Sequence, residues 1–162
     1  MRLRHATAFL LVFTTSISSQ AQAPSAAGVH KLSATLGDRV GCFPAVGNET
    51  GDAAKGPSIV VERWSLGCVI PWHWHTPNEH VMIVSGTLNF EIKGKTPTQV
   101  KAGDFILIPS RQISQAKCIS TQPCIDFLYT DAAFDVHFVD PEGKEISADE
   151  ALKVNKNVAP QK

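Results

Sequence analysis

Two histidines and one glutamate have the residue types and the spacing to bind a metal ion. His73 and His75 are two residues apart, and on a β-strand such residues face the same side with Cβ atoms roughly 6–7 Å apart. Glu79 follows after a Thr-Pro-Asn segment (76–78) that is typical of a turn. A hairpin there would return the carboxylate to the imidazoles. Two imidazoles and one carboxylate with open coordination positions are the set used by non-haem iron oxygenases.

Short strands are predicted to position these side chains. Runs of β-branched and aromatic residues alternate with Gly, Pro, Asn and Asp through most of the chain. The predicted strands are 58–66, 69–75, 79–85, 88–92, a short one from Val100, 105–108, 113–119, 125–130 and 134–139. Eight or nine short strands predict an all-β sandwich or barrel. Only the stretch from Ser147 is helical in pattern, because Ser147 and Glu150 have the spacing of a capping box.

The segment that holds the histidines resembles the first sequence motif of the cupin superfamily. Gly67, five residues, His73, one residue, His75, three residues, Glu79, six residues and Gly86 reproduce that motif without a gap. The resemblance extends over about residues 58–139. It implies a cupin-type jelly-roll barrel of about eight to ten short strands, followed by a short C-terminal helix.

The second cupin motif is only half present. It begins at Gly103 and has Pro109 six residues later. Arg111 then stands where the family has glycine, and Ser114 stands where the family has its fourth metal ligand, a histidine. By resemblance, Ser114 and its neighbour Gln115 are weak candidates for that fourth position.

The resemblance implies a divalent transition metal (Fe, Mn, Ni or Zn) on His73, His75 and Glu79. Glu79 is also a candidate catalytic base, a role that would need a raised pKa. Phe90, Phe105 and Leu107 are candidate pocket residues, as is Phe127, because small barrels hold side chains or one small ligand inside. Which of the many cupin activities applies, and whether the domain is an enzyme, stays open.

The other histidines and the tryptophans are weaker candidates. His80 is out of phase with Glu79, and the strand period alone does not give the facing of His137. Trp72 and Trp74 alternate with the histidines and therefore face away from them. They are expected to pack on the outer face, with a stacking wall for an aromatic or sugar ligand as the alternative.

Residues 1–23 have the features of a secretion signal. Arg2 and Arg4 precede a mostly apolar run, and Ala21-Gln22-Ala23 is a small-residue cleavage site. We expect a periplasmic or secreted protein, with an irregular N-terminal segment (24–57), the barrel (58–139) and an extension (140–162). Removing the signal leaves 13 basic and 15 acidic residues, which predicts no nucleic-acid partner. No second apolar run is long enough to predict a membrane span in the mature form.

The four cysteines all lie after the predicted signal, and an exported protein meets an oxidising compartment. The polar CISTQPC segment reads as a hairpin loop between strands and favours a Cys118–Cys124 disulfide. Cys42–Cys68 then follows by exclusion, with buried thiols as the alternative.

Three functions follow from these observations. The first is an exported metal-binding cupin that binds a small molecule or performs metal-dependent oxidation or isomerisation. The second is a metal-poor, non-catalytic ligand-binding cupin, which the serine at position 114 favours. The third is a dimeric structural module, because cupin sheets often pair between subunits.

Overall fold

Ten β-strands and one α-helix make up the part of the chain that the computed structural model describes, residues 28–29 and 45–156. In chain order they are β1 (Ala45–Gly51), β2 (Ser58–Trp64), β3 (Val69–Trp74), β4 (Glu79–Ser85), β5 (Thr87–Ile92), β6 (Thr98–Lys101), β7 (Phe105–Ile108), β8 (Ser114–Cys118), β9 (Cys124–Thr130), β10 (His137–Phe138) and α1 (Ala148–Lys156).

The strands form two antiparallel five-stranded sheets. Sheet A has the order β1-β2-β9-β4-β7, and sheet B has the order β10-β3-β8-β5-β6. Period-2 alternation turns one face of each strand inward. Along β9, for example, Cys124, Asp126 and Leu128 are buried while Phe127 and Tyr129 are exposed. The predicted all-β jelly-roll fold is therefore confirmed.

The core lies between the sheets and is built from both of them. Val60, Val81 and Leu128 of sheet A are buried in one cluster with Leu88 and Phe90 of sheet B. Removing each such side chain from water contributes about 1.5–3 kcal/mol. This burial fixes which face of each strand points inward, and with it the placement of the site residues.

Two connections that the sequence suggested as hairpins are crossovers between the sheets. β3 belongs to sheet B and β4 to sheet A, so the segment 75–78 is a crossover and the two strands are not hydrogen-bonded neighbours. β8 and β9 are likewise in different sheets, so the segment between Cys118 and Cys124 is also a crossover. Local turn residues predict that the chain reverses, but they carry no information on which strand becomes the pairing partner.

Residues 45–51 are a strand, although we expected the whole segment 24–57 to be irregular. β1 pairs antiparallel with β2 along the edge of sheet A, with an irregularity between Asn48 and Thr50. The Gly- and Asn-rich sequence has little strand propensity, so the pairing with β2 decides its conformation. Residues 1–23 and Cys42 lie outside the described residues.

Two predicted pocket residues face outward. Phe105 and Leu107 are 56% and 53% exposed, and they lie on the outer face of sheet A beside Met82 and His80. The alternate residues of the same strand, Ile106 and Ile108, point inward. The run of four apolar residues has no polar alternation, so the sequence could not fix its phase. Phe127 is also on the outer face, whereas Phe90 is buried between the sheets.

The disulfide and the helix cap are both present. Cys118 and Cys124 form a disulfide that joins sheet B to sheet A, with Cα atoms 5.9 Å apart. Cys68 is buried. At the start of α1, Ser147 N–H donates to the Glu150 carboxylate at 3.0 Å, and Glu150 N–H donates to Ser147 Oγ at 3.3 Å. Among the described residues, no helix has the length and apolar character needed to span a bilayer.

Candidate metal centre

The three predicted ligands gather at one end of the barrel. His73 lies near the end of β3, His75 follows that strand, and Glu79 begins β4 after the crossover. All three side chains point inward and are only 4–5% exposed. The disulfide lies at the other end, because Glu79 pairs with Thr130 at the last residue of β9 and Cys124 is the first.

Both imidazoles are held by backbone carbonyls. His73 Nδ1 lies 2.6 Å from the carbonyl oxygen of Pro71, and His75 Nδ1 contacts the carbonyl oxygen of Asp135. An imidazole that donates from Nδ1 has its lone pair on Nε2. This arrangement fixes the tautomer and presents Nε2 as a ligand, as the outer contacts of metal-binding histidines do.

Burial keeps all three groups neutral near pH 7. It lowers the pKa of His73 to about 3 and that of His75 to about 4, with a smaller contribution from the neighbouring imidazole for His73. It raises the pKa of Glu79 to about 8, assisted by the charges of Asp126 and Asp135. The 3.3 Å contact between His75 Nε2 and Glu79 Oε1 therefore joins a neutral imidazole to a carboxylic acid and is not an ion pair.

The three side chains are close but are not gathered around one point. His73 meets His75 edge-on with ring centroids 4.7 Å apart, and only His75 touches Glu79 in the manner just described. Within residues 28–29 and 45–156, no three or more His, Cys, Asp or Glu side chains form a ready-made metal cluster. Binding an ion would need the Glu79 proton to leave and the His75–Glu79 contact to open.

The fourth position is occupied by the two residues that the second motif indicated. Ser114 pairs directly with His73 across β8 and β3 and is 1% exposed, so its side chain lies inside the barrel beside the imidazole. Gln115 contributes to the cavity wall, but its amide donates to Glu91 at 2.9 Å. A neutral hydroxyl is a weak ligand, so Ser114 does not replace the imidazole that the second motif lacks.

Side chains from other loops fix the β3–β4 crossover. Asp135 Oδ1 accepts the Thr76 N–H at 2.7 Å, and Asp131 Oδ1 accepts the Asn78 N–H at 2.9 Å. Ser110 donates its hydroxyl to the Thr76 carbonyl and its N–H to the Asn78 side chain. Two carboxylates and a serine therefore replace the predicted hairpin in bringing the imidazoles and the carboxylate together.

Arg111 adopts the backbone conformation of the glycine that it replaces. Its φ is +61°, a left-handed value that costs a non-glycine residue energy. Its N–H donates to the His75 carbonyl at 2.8 Å, and its guanidinium lies 5.0 Å from the Trp74 ring centroid. Both contacts offset the strain and hold the loop against the strand that carries the histidines.

The other two histidines of the described residues, His80 and His137, lie outside the centre. The His137 ring stacks on Trp74 with centroids 3.8 Å apart, which is consistent with an outward-facing Trp74. His80 lies on the outer face of sheet A against Phe105 and Tyr129.

A buried acid pair was missed by the sequence reasoning. Glu62 of β2 and Asp126 of β9 are direct cross-strand partners on the inner face, and Trp64 Nε1 donates to Asp126 Oδ2 at 2.8 Å. Burial, followed by the charge of the other carboxyl, raises the pKa of Glu62, and burial raises that of Asp126. A signal was available, because Glu62 is two residues from each of the apolar Val60 and Trp64 and therefore shares their face of the strand.

The acid pair and the histidines line one cavity of about 50 Å³. Its walls are apolar and come from both sheets, and include Val81, Phe90, Ile106 and Leu128. Space of this size holds roughly three to five water molecules, or a small ligand of similar volume. Glu62 is half-buried and lines this cavity.

Comparison with known proteins identifies the domain type. A family model described as "Cupin domain" matches residues 60–127, whereas no curated protein matches the sequence. A double-stranded β-helix protein from Klebsiella pneumoniae has a TM-score of 0.61 at 16% identity, over 71% of this chain and 99% of that one. The polyketide cyclase RemF from Streptomyces resistomycificus has a TM-score of 0.56 at 16% identity, over 73% and 80%. An oxalate oxidase has a TM-score of 0.57 at 18% identity, over 69% and 63%.

Proposed function

We propose that the cupin domain matched at residues 60–127 binds a divalent transition metal through His73, His75 and Glu79. The observation that carries the proposal is the orientation of the two imidazoles. Both are buried and neutral, and both hold Nδ1 against a backbone carbonyl, which leaves the lone pair of each ring on Nε2. In His75 this atom contacts Glu79, and an ion would take the place of that contact.

The residues fit a hard or borderline divalent ion. Two imidazole nitrogens and a carboxylate suit Fe, Mn, Ni or Zn, and three protein ligands leave positions for an exogenous ligand. When bound, the ion would supply Lewis-acid activation of a small oxygen-containing ligand or of dioxygen. Glu79 must give up its proton to bind the ion, and its raised pKa makes that proton loss a measurable part of binding.

The substrate is expected to be small. The 50 Å³ cavity accepts only a few non-hydrogen atoms, and most of its lining surface is apolar. An oxalate oxidase, a polyketide cyclase and a lyase of DMSP all share this barrel at 16–21% identity. These neighbours support the fold and do not select among oxidation, isomerisation and non-catalytic binding.

A second candidate is a metal-poor barrel that binds its ligand without chemistry. Ser114 beside His73 supports it, as does the direct His75–Glu79 contact. The dimeric structural module stays a prediction, to be measured by sedimentation at micromolar concentration.

Metal content separates the first two candidates. The protein is purified without chelator, exchanged into zinc or manganese, and assayed by atomic emission. We expect about one ion per chain in the parent and in His80→Ala, the matched control on the outer face, and less than about 0.1 in His73→Ala. Equal content in the parent and in His73→Ala would contradict the metal site and favour the second candidate.

We also propose that the protein is exported. The Cys118–Cys124 disulfide supports this, because such bonds persist in oxidising compartments. N-terminal sequencing of protein from the cell envelope or medium should give a chain that begins at Pro24. A chain that retains residues 1–23 in the cytosol would contradict export.

A further inference from the structure

The inner part of the cavity contains a polar group that the proposed metal site does not use. Asp126 is 1% exposed, and its Oδ2 accepts the Trp64 indole N–H. Its Oδ1 has no hydrogen-bond partner among the described residues. Glu62 lies opposite on β2 and its raised pKa keeps it protonated beside Asp126, but it provides no hydrogen bond to Oδ1. A buried acceptor without a donor is costly and uncommon, so its natural complement is a donor brought by a ligand.

The acid pair faces the same cavity as the histidines from a different level of the barrel. Asp126 is four residues from Thr130, the cross-strand partner of Glu79, so the Cα positions are roughly 13 Å apart along the strands. Both side chains extend from these positions into one small cavity, and the charge of Asp126 still raises the pKa of Glu79, so the gap between the two carboxyl groups is shorter. The side chains of Asp126 and Glu79 both line the cavity, and the wall between them is apolar. The cavity therefore has two polar regions joined by a hydrocarbon surface.

From this arrangement we infer that Glu62 and Asp126 form a subsite for the hydrogen-bond donor of a small ligand, either a hydroxyl or an ammonium group. The ligand class is a short carboxylic acid with such a donor at its far end and a hydrocarbon link between. The inference rests on the proposed function at one point only, namely that the carboxylate of the ligand binds where His73, His75 and Glu79 line the cavity.

Asp126→Asn is a sharp probe because Trp64 fixes how the amide is oriented. The indole N–H needs an acceptor, so the amide oxygen takes the place of Oδ2 and the NH₂ group takes the place of Oδ1. The variant thus presents a donor to the cavity where the parent presents an acceptor. Glu62→Gln tests the second carboxyl, and Ser58→Ala is the matched control. Ser58 lies on the same face of β2 and is buried against Thr130, but it does not line the cavity.

Calorimetry on the zinc-loaded protein compares three probes of similar size, namely propionate, 3-hydroxypropionate and β-alanine. At pH 8, above the Asp126 pKa of about 7, we expect at least one donor-bearing acid to bind the parent and Ser58→Ala about tenfold or more tightly than propionate, since its donor pairs with a deprotonated acceptor. In Asp126→Asn that preference should disappear. Preference for β-alanine identifies an ammonium subsite, and preference for 3-hydroxypropionate a hydroxyl subsite.

Failure of the subsite and failure of the metal site give different results. If the three acids bind equally to the zinc-loaded parent, or if Asp126→Asn keeps the parent's preference, the subsite is refuted while metal binding stands. If the protein binds no zinc, the subsite is tested on the metal-free protein. Propylammonium and propanol are then the donor-bearing probes, and an apolar compound of the size of propane is the control. Donor preference that depends on Asp126 would then still support it. No binding by any probe in either form would overturn it.

Discussion

The buried acid pair makes a pH-dependent contribution to stability that one substitution should remove. Asp126 and Glu62 have raised pKa values in the folded protein, so the folded state holds more protons than the unfolded state above about pH 4. The free energy of unfolding therefore falls as the pH rises, by about 1.4 kcal/mol per pH unit for each extra proton held. The stability that the two bound protons contribute is fully present below the pKa of the carboxyls in the unfolded chain. It is lost as the pH rises through their pKa values in the folded protein.

The histidines act in the opposite direction over a lower range. Their pKa values are lowered to about 3 and about 4, so they contribute stability above the unfolded value near 6.5 that is lost as the pH falls. Below pH 6.5 the two effects oppose each other. Above pH 6.5 the histidines no longer change, and metal-free protein should lose stability up to about pH 8, where Glu79 also titrates.

Asp126→Asn isolates the acid pair from these other groups. It removes one titrating carboxyl and the repulsion that helps to raise the pKa of Glu62. We expect the difference in unfolding free energy between variant and parent to change by roughly 1–3 kcal/mol, in favour of the variant, from pH 5 to pH 7. Urea unfolding in chelator at half-unit pH steps measures it.

Ser58→Ala is the control, because it removes a buried hydrogen bond without a titrating group. Its curve should run parallel to that of the parent at all pH values. If the Asp126→Asn curve is also parallel to the parent, the carboxyl does not hold a proton in the folded state and the reasoning fails.

Three further predictions concern the site and the barrel. Ser114→His should raise zinc affinity about tenfold or more by competition titration, because it restores an imidazole beside His73; unchanged affinity would mean that position 114 does not reach the ion. Phe90→Ala should cost about 3–5 kcal/mol in urea unfolding while Phe105→Ala costs under about 1, since the first is buried and the second is 56% exposed; equal costs would contradict the inward phase of β5. Reducing the Cys118–Cys124 disulfide should cost about 2 kcal/mol, and no change in the urea midpoint on reduction would show that the bridge constrains nothing.

The sequence predicted those parts of the fold that local pattern controls. Alternation put His73 and His75 on one face of a strand, which is the inner face in the structure, and the Ser147–Glu150 spacing predicted the helix cap. All four residues of the run 105–108 are apolar, so the sequence does not show which of them face inward, and Phe105 and Leu107 were assigned to the wrong face.

Other features depended on partners distant in the chain. Strand β1 exists because it pairs with β2, and both crossovers depend on which sheet the next strand joins. To predict the Glu62–Asp126 pair, the alternating pattern of β2 would have to be aligned in register with that of β9. The two patterns are far apart in the chain, with 62 residues from Trp64 to Asp126. No local signal gives such a register.

Counting the histidines bound to a metal probe tests the central proposal most directly. Pulsed EPR of the copper-loaded protein resolves the imidazoles attached to the ion, and copper is accepted by sites of this ligand type. We predict two imidazoles in the parent and in His80→Ala, and one in His73→Ala. A parent spectrum without two imidazoles, or a His73→Ala spectrum identical to that of the parent, would contradict a metal centre built on His73, His75 and Glu79.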